Sequence, residues 1–120
     1  MYLEVNVKEL IGKTLKEVRG IEESCVVFET TNGEEYRMSH SQDCCESVGI
    51  EDITGDVKDL IGEPILMAEE ISNSDNPPEN ADSFTWTFYK FATIKGYVTF
   101  RWLGESNGYY GEGVDFERIK

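Results

Sequence analysis

The residue types best suited to chemistry lie in one short segment, His40-Ser41-Gln42-Asp43-Cys44-Cys45-Glu46. It holds the only histidine, two adjacent cysteines and two carboxylates, which are ligand types that Zn²⁺ uses. Structural zinc sites, however, normally draw on separated pairs such as C-x-x-C, and adjacent cysteines in an extended segment point to opposite faces. Three interpretations stay open: a metal site, a thiol redox site, and an ordinary turn with one cysteine buried.

Nucleophilic or acid–base catalysis has few candidate residues in this chain. A Cys–His pair would have to join His40 to Cys44 or Cys45, at a spacing that holds neither partner in register. The sequence has no glycine-rich phosphate loop, nucleophile elbow or H-E-x-x-H motif. We therefore expect neither an enzyme nor a bound cofactor.

A second candidate segment combines glycines with aromatic residues, from Trp102 to Gly111. Such a segment is a plausible platform for a partner protein, a sugar or a base. The alternative is a loop whose tyrosines cover one end of the fold. The candidate binding residues are therefore His40, Asp43, Cys44, Cys45, Glu46, Trp102, Tyr109 and Tyr110.

The net charge is −13 over 120 residues, and the acids are concentrated in the middle of the chain. Between Ser39 and Tyr89, twelve acidic residues stand against one base, Lys58. This charge repels nucleic acid and anionic membranes and favours cations or a basic protein surface. We therefore expect a protein partner, with no direct nucleic-acid or membrane binding. The alternative is that acidity simply keeps a small protein soluble.

The three cysteines, Cys25, Cys44 and Cys45, are an odd number in a chain with no visible export signal. Free thiols are therefore expected rather than a disulfide framework. No apolar run approaches the roughly 18 residues of a membrane-spanning helix. Together these features predict a cytoplasmic protein.

A heptad near the N-terminus has a close copy fifty positions later. Asn6-Val7-Lys8-Glu9-Leu10-Ile11-Gly12 matches Asp56-Val57-Lys58-Asp59-Leu60-Ile61-Gly62 at five of seven residues. Each copy has a cap residue, apolar residues at i, i+3 and i+4, and a glycine stop, which predicts a helix of one or two turns. We expect one domain, residues 1–120, with an internal repeat of residues 1–55 and 56–120.

After each predicted helix the residue pattern becomes that of β-strands. Asn32-Gly33 indicates a hairpin turn, and the polar residues 72–82 indicate a surface loop. In the strongest pattern, Phe84, Trp86 and Phe88 alternate with threonines and Tyr89. The period of two assigns the first set to the core face of its strand.

The last strands of the two predicted halves have the same apolar spacing, one beginning at Val48 and the other at Val114. When these strands are matched, we expect Cys44-Cys45 to correspond to Tyr109-Tyr110. The sequence thus predicts a mainly β fold at the α+β border. We expect about eight antiparallel strands and two short helices in a pseudo-twofold sandwich or partly open barrel.

Several runs resemble those of a known family: residues 40–56, Trp86-Thr87-Phe88-Tyr89-Lys90-Phe91 and Arg101-Trp102-Leu103-Gly104-Glu105-Ser106-Asn107-Gly108-Tyr109-Tyr110. Over most of its length the chain resembles a small family of phage- and prophage-encoded proteins of unassigned function. The resemblance brings no activity or catalytic residue. It implies a bacterial cytoplasm carrying phage genes, where small acidic proteins often bind host machinery.

These observations favour a non-enzymatic phage or prophage accessory protein that binds a host or phage protein through an acidic face or the aromatic loop. Three alternatives remain. One is a metal-binding domain at the segment from His40 to Glu46, and another is an inhibitor that mimics DNA. The third is a small-ligand sponge with a pocket near Trp102 and Tyr109.

Overall fold

The computed structural model describes residues 2–74, 82–108 and 110–120. These residues confirm the mainly β class. Of the loop predicted over residues 72–82, residues 75–81 lie outside the described part. Nine strands occur in the described residues: β1 Leu3–Glu4, β2 Leu15–Arg19, β3 Cys25–Thr30, β4 Glu35–Ser39, β5 Ser47–Thr54, β6 Met67–Asn73, β7 Ser83–Thr93, β8 Gly96–Ser106 and β9 Asp115–Arg118.

The two predicted helices are single 3-10 turns, Val7–Leu10 and Val57–Leu60. As expected, Asn6 and Asp56 cap them, each accepting the N–H of the residue two positions on, at 2.9 and 3.0 Å. Four residues are too few to propagate the i→i−4 bonds of an α-helix, so each turn closes with i→i−3 bonds instead. In the described part of the chain, no helix is long and apolar enough to cross a membrane.

The strands form two antiparallel sheets, in the orders β1-β9-β4-β3-β2 and β5-β8-β7-β6. Three consecutive strands build most of each sheet, β2 to β4 in one and β6 to β8 in the other. The next strand along the chain then joins the opposite sheet: β5 pairs with β8, and β9 pairs with β4. Among the described residues neither sheet closes on itself, so the predicted barrel alternative is not observed.

Two reciprocal hydrogen bonds join the segments that follow the 3-10 turns. The N–H of Gly12 donates to the carbonyl of Ile65 at 2.8 Å, and the N–H of Gly62 donates to the carbonyl of Leu15 at 3.0 Å. Each donor and each acceptor has its counterpart fifty positions away. Both glycines have a positive φ, +88° and +89°, which turns the chain sharply before β2 and β6.

A shared aromatic core lies between the sheets. The ring of Phe28 in β3 packs against Phe91 in β7 and Phe100 in β8, with centroids 5.4 and 6.0 Å apart. In β9, Phe116 stacks on Tyr36 of β4 at 5.7 Å. Burial of each such side chain stabilises the fold by roughly 1.5–3 kcal/mol. The core therefore binds the two sheets to each other.

The core face of β7 is the opposite of the predicted one. Thr87 and Tyr89 are buried, whereas Phe84, Trp86 and Phe88 lie on the outer face and are only half-buried. The alternation itself was predicted correctly, but the assignment of its two faces was wrong.

The reason is the register of the β7–β8 hairpin. Its turn pairs Thr93 with Gly96, and this register places Thr87 opposite Trp102 of β8. Directly opposed residues share a face of the sheet, and Trp102 is fully buried. The small threonine leaves room for the indole in the core, and the aromatic set of β7 faces outward.

Lysine substitutions on the two faces of β7 test this assignment. Thr87→Lys should lower the free energy of unfolding by about 3 kcal/mol or more, because it buries an unpaired charge. Trp86→Lys should cost only about 1 kcal/mol, because its side chain reaches solvent. Urea unfolding measures both, and equal costs would contradict the assignment.

Candidate functional site

Two connections pass between the sheets at the same end of the molecule. Residues 40–46 lead from β4 to β5, and residues 107–114 lead from β8 to β9. The end of β4 lies beside the start of β9, where Ser39 pairs with Asp115. The end of β8 lies beside the start of β5, where Ser47 pairs with Glu105. These crossing connections therefore run side by side in opposite directions.

A buried carboxylate organises the first crossing connection. Glu46 is only 4% exposed and accepts the backbone N–H groups of Asp43 and Cys44, both at 2.9 Å. The side-chain amide of Gln42 donates to the backbone carbonyl of Glu46 at 2.6 Å. The N–H of Cys44 foremost, then that of Asp43 and the ring of His40, outweigh burial and lower the pKa of Glu46 to about 2. The segment is thus folded around one ionised group.

His40 joins the two crossing connections. Its Nδ1 lies 2.7 Å from the carbonyl oxygen of Gly113, and its Nε2 lies 2.9 Å from the carboxylate of Glu46. Both oxygens are acceptors, so the doubly protonated ring satisfies both contacts, whereas a neutral ring could donate to only one. Because both ring nitrogens are engaged, His40 holds the connections together and offers no free nitrogen to a metal or substrate.

The cysteines of this segment differ from expectation. Cys44 and Cys45 are joined in a disulfide, and Cys25 is a free thiol. The expectation of free thiols at 44 and 45 was therefore wrong. Residues 41–46 form no strand, so neighbouring side chains do not alternate between two faces. In this state the two sulfurs are not thiolate ligands, and the described residues contain no cluster of three or more His, Cys, Asp or Glu suited to a metal ion.

The second crossing connection contains a buried carboxylate that sequence analysis missed. Glu112 is 9% exposed and accepts the hydroxyl of Thr85 at 2.9 Å and that of Ser106. Burial alone would raise its pKa, but the hydroxyls of Ser106, Ser83 and Thr85 outweigh burial and lower it. This carboxylate fixes the connection to the ends of β7 and β8.

A signal for both carboxylates is visible in the sequence. Glu46 stands two positions before Val48, and Glu112 stands two positions before Val114, which begins the matching apolar pattern. By the same spacing, Cys44-Cys45 corresponds to Tyr110-Gly111, so the predicted match with Tyr109-Tyr110 was wrong by one position. The spacing thus marks the repeated position of the two glutamates, whereas their burial is seen only in the structure.

The residues predicted on the aromatic loop are dispersed. Trp102 is fully buried in the core and pairs with Ile50 of β5. Tyr110 is half-buried in the second crossing connection. Tyr109 lies outside the described residues. The structure thus does not bring Trp102 to a loop surface, because the alternation of β8 turns it inward with Val98 and Phe100.

A further surface feature lies on the outer face of the sheet formed by β5 to β8. There Ile71 pairs with Phe88, and Trp86 pairs with Leu103. We define the aromatic face as these side chains and their neighbour: Ile71, Phe84, Trp86, Phe88 and Leu103. Ile71 is 43% exposed and the other four are half-buried, so all five apolar side chains reach solvent in part.

Charged side chains border the aromatic face. The guanidinium of Arg101 lies over the ring of Trp86, 5.3 Å from its centroid, and 4.0 Å from the carboxylates of both Glu51 and Asp52. Further acids occur at Glu69 in β6 and Glu105 in β8, and a further base at Lys90 in β7. The border therefore contains four acids and two bases.

The outer face of the other sheet has a different character. Arg19 contacts the carboxylates of Glu29 and Glu35 at 3.1 and 2.7 Å, and Arg37 contacts Glu117 at 2.9 Å. These charges are paired between strands of the same sheet. Such a surface is already satisfied in solvent, so it offers a partner less than the aromatic face does.

The two antiparallel sheets, with one ion-paired outer face and one aromatic outer face, define a mainly β protein. The chain belongs to the DUF7448 family, a domain of unknown function, whose model matches residues 8–116. No curated protein and no solved structure matches the chain. The match covers both crossing connections and the whole aromatic face.

Glu46 makes the stability of the fold depend on pH. Its pKa is about 2 in the folded chain against an ordinary value of 4.5, so its ionised form stabilises the folded state fully above about pH 4.5. That contribution decreases as the pH falls from there through about 2. Urea unfolding between pH 7 and pH 2 should show a falling free energy of unfolding across this window.

Two variants separate Glu46 from the other carboxylates. Glu46→Gln should be less stable at pH 7 and should lose less stability across the acid window. Glu51→Gln, which changes a carboxylate whose side chain is 49% exposed, should keep the dependence of the wild type. A wild-type acid dependence in Glu46→Gln would contradict the assignment.

Thiol counting checks the cysteine state. Of the three cysteines, Cys25 is free and the other two form the disulfide. Protein unfolded in denaturant without reductant should therefore take up one alkyl group, and the reduced protein should take up three. Intact mass spectrometry gives both numbers, and three alkyl groups before reduction would rule out the disulfide.

Proposed function

We propose that this chain is a non-enzymatic binding protein, encoded by a phage or prophage, that engages a host or phage protein in the bacterial cytoplasm through its aromatic face. The outward position of Trp86 and its aromatic neighbours is the observation that carries this proposal. An antiparallel sheet with one solvated face normally has polar side chains on that face. Three outward aromatic residues on a single strand depart from this rule and are typical of an interaction surface.

The chemistry of the aromatic face favours a protein partner over a small molecule. It lies on an open sheet surface rather than in a concave pocket, and aromatic side chains contribute most to the central contacts of protein interfaces. The ring of Trp86, held beneath Arg101, is a rigid anchor that loses little conformational freedom on binding. A partner that covers this face would bury the apolar centre and leave the charged border at the rim.

The charge of the chain supports a basic partner. Acids outnumber bases by thirteen in the whole chain and by two at the border of the aromatic face. Opposite charge increases the rate of encounter and excludes acidic competitors. The same charge works against association of two copies of this chain.

We further infer that the chain arose by duplication of a unit of about half its length. The two capped 3-10 turns, the reciprocal bonds of Gly12 and Gly62, and the matched carboxylates Glu46 and Glu112 support this origin. The exchange of β5 and β9 between the sheets is what an intertwined dimer of such units would leave after fusion. The aromatic face occurs on only one of the two sheets, so binding would have developed in the second half.

Affinity capture with matched variants tests the proposed function. Immobilised wild type should retain a specific protein from a lysate of a phage-carrying bacterium at low salt, and Trp86→Ala should lose at least 90% of it. Ile94→Ser removes a side chain that is 79% exposed at the β7–β8 turn, outside the aromatic face, and should retain the protein. Equal retention by all three, with matching thermal unfolding curves, would contradict the proposal.

A further inference from the structure

The edges of the two sheets are not equally protected. Edge strands expose unpaired backbone groups, and proteins usually block them with short length, basic side chains or bulges. In the five-stranded sheet, β1 has two residues and β2 carries Lys16 and Arg19. In the four-stranded sheet, β5 has an irregularity between Ile50 and Asp52.

The remaining edge strand, β6, has none of these features. Its register with β7 is continuous from Met67 to Asn73, and its sequence contains no lysine, arginine or proline. Among the described strands β7 is its only neighbour. Four consecutive residues, from Glu69 to Ser72, are exposed. The 3-10 turn Val7–Leu10 packs against β6, so the part of this edge that is open to solvent is the run from Glu69 to Ser72.

A groove lies beside this edge on the inner side of the sheet. It has a volume of about 660 Å³ and is lined by Glu4, Val5, Asn6, Val7, Lys8 and Glu70. Glu70 projects toward it from β6 because its neighbour Ile71 points to the aromatic face. The groove and the aromatic face therefore lie on opposite sides of the same strand.

The groove is negatively charged. Although the residue as a whole is exposed, partial desolvation of the Glu70 carboxyl group, then the carboxylates of Glu4 and Asp115, raise its pKa, and the nearby Tyr89 hydroxyl opposes this rise. Lys8 is the only base among the lining residues, and its side chain is exposed. A cationic side chain placed here would relieve the repulsion among these carboxylates.

We propose that β6 receives an extended segment of the partner protein as an added strand, in which basic and apolar residues alternate. This inference rests on the proposed function and specifies how the partner binds. The alternate basic side chains enter the groove beside Glu70, and the apolar ones lie beside Ile71 and extend the aromatic face. Backbone hydrogen bonds to β6 supply affinity, and the alternation supplies specificity.

A second copy of this chain does not fit the same edge. If β6 paired with the β6 of a second copy, Glu69 and Glu70 of both copies would lie close together, and β6 itself contains no basic residue to offset their charge. Like charges on directly opposed strands are destabilising. The charge of the edge thus selects a basic segment over self-association.

A synthetic peptide tests this inference directly. The probe is a fluorescein-labelled peptide of eight residues in which lysine and valine alternate, and its control has four lysines followed by four valines. Anisotropy should show at least tenfold tighter binding of the alternating peptide. Amide hydrogen exchange should slow at β6 on binding. Glu70→Gln should weaken binding at least fivefold, whereas Glu17→Gln on the edge strand β2 should leave it unchanged.

Several results would overturn the inference. They are equal binding of the two peptides, no binding of either, or protection at strands other than β6. Slowed exchange at β6 that depends on protein concentration without peptide would assign the edge to a second copy instead. If the peptide binds at Trp86 and β6 stays unprotected, strand addition is rejected and the proposed function stands. The proposed function is rejected by a different result, capture of the partner by Trp86→Ala as well as by the wild type.

Discussion

The exchange of the final strand of each half is the constraint on which the rest of the structure depends. Because β5 completes the sheet of β6 to β8, and β9 completes the sheet of β2 to β4, each sheet needs residues from both halves. The exchange forces two connections across the same end of the molecule. It is there that the chain buries Glu46 and Glu112, each with enough donors to stay ionised. A buried charge without such donors would cost several kcal/mol.

This arrangement separates stability from interaction. Aromatic side chains fill the core between the sheets, and buried carboxylates organise the crossing connections. On the outer face of one sheet, Arg19 and Arg37 form salt bridges. The aromatic face lies on the outer side of the other sheet. The proposed binding function agrees with this arrangement, because His40 and Glu46, in the segment best suited to chemistry, are engaged in contacts that hold the fold together.

Local patterns predicted the elements well and their orientation poorly. The turn at Asn32-Gly33, the caps Asn6 and Asp56 and the strands that follow them depend on residues close in sequence, so they were readable. The inward face of β7 depends on which residue lies opposite Trp102, and hairpin register decides this. Two alternating sets that both contain apolar residues do not reveal which set is buried.

The sequence by itself determined the β class, the capped turns at Asn6 and Asp56 and the acidity, because these follow from the types and spacing of neighbouring residues. Only the tertiary structure decided that β5 and β9 change sheets and that both ring nitrogens of His40 contact Gly113 and Glu46. It also decided that Trp86 faces solvent while Trp102 is buried. The exchange of β5 and β9 and the contact of His40 with Gly113 join residues far apart in the chain, and the outward position of Trp86 depends on the register of the β7–β8 hairpin. Such contacts are selected by the packing of the whole core, and no local pattern records them.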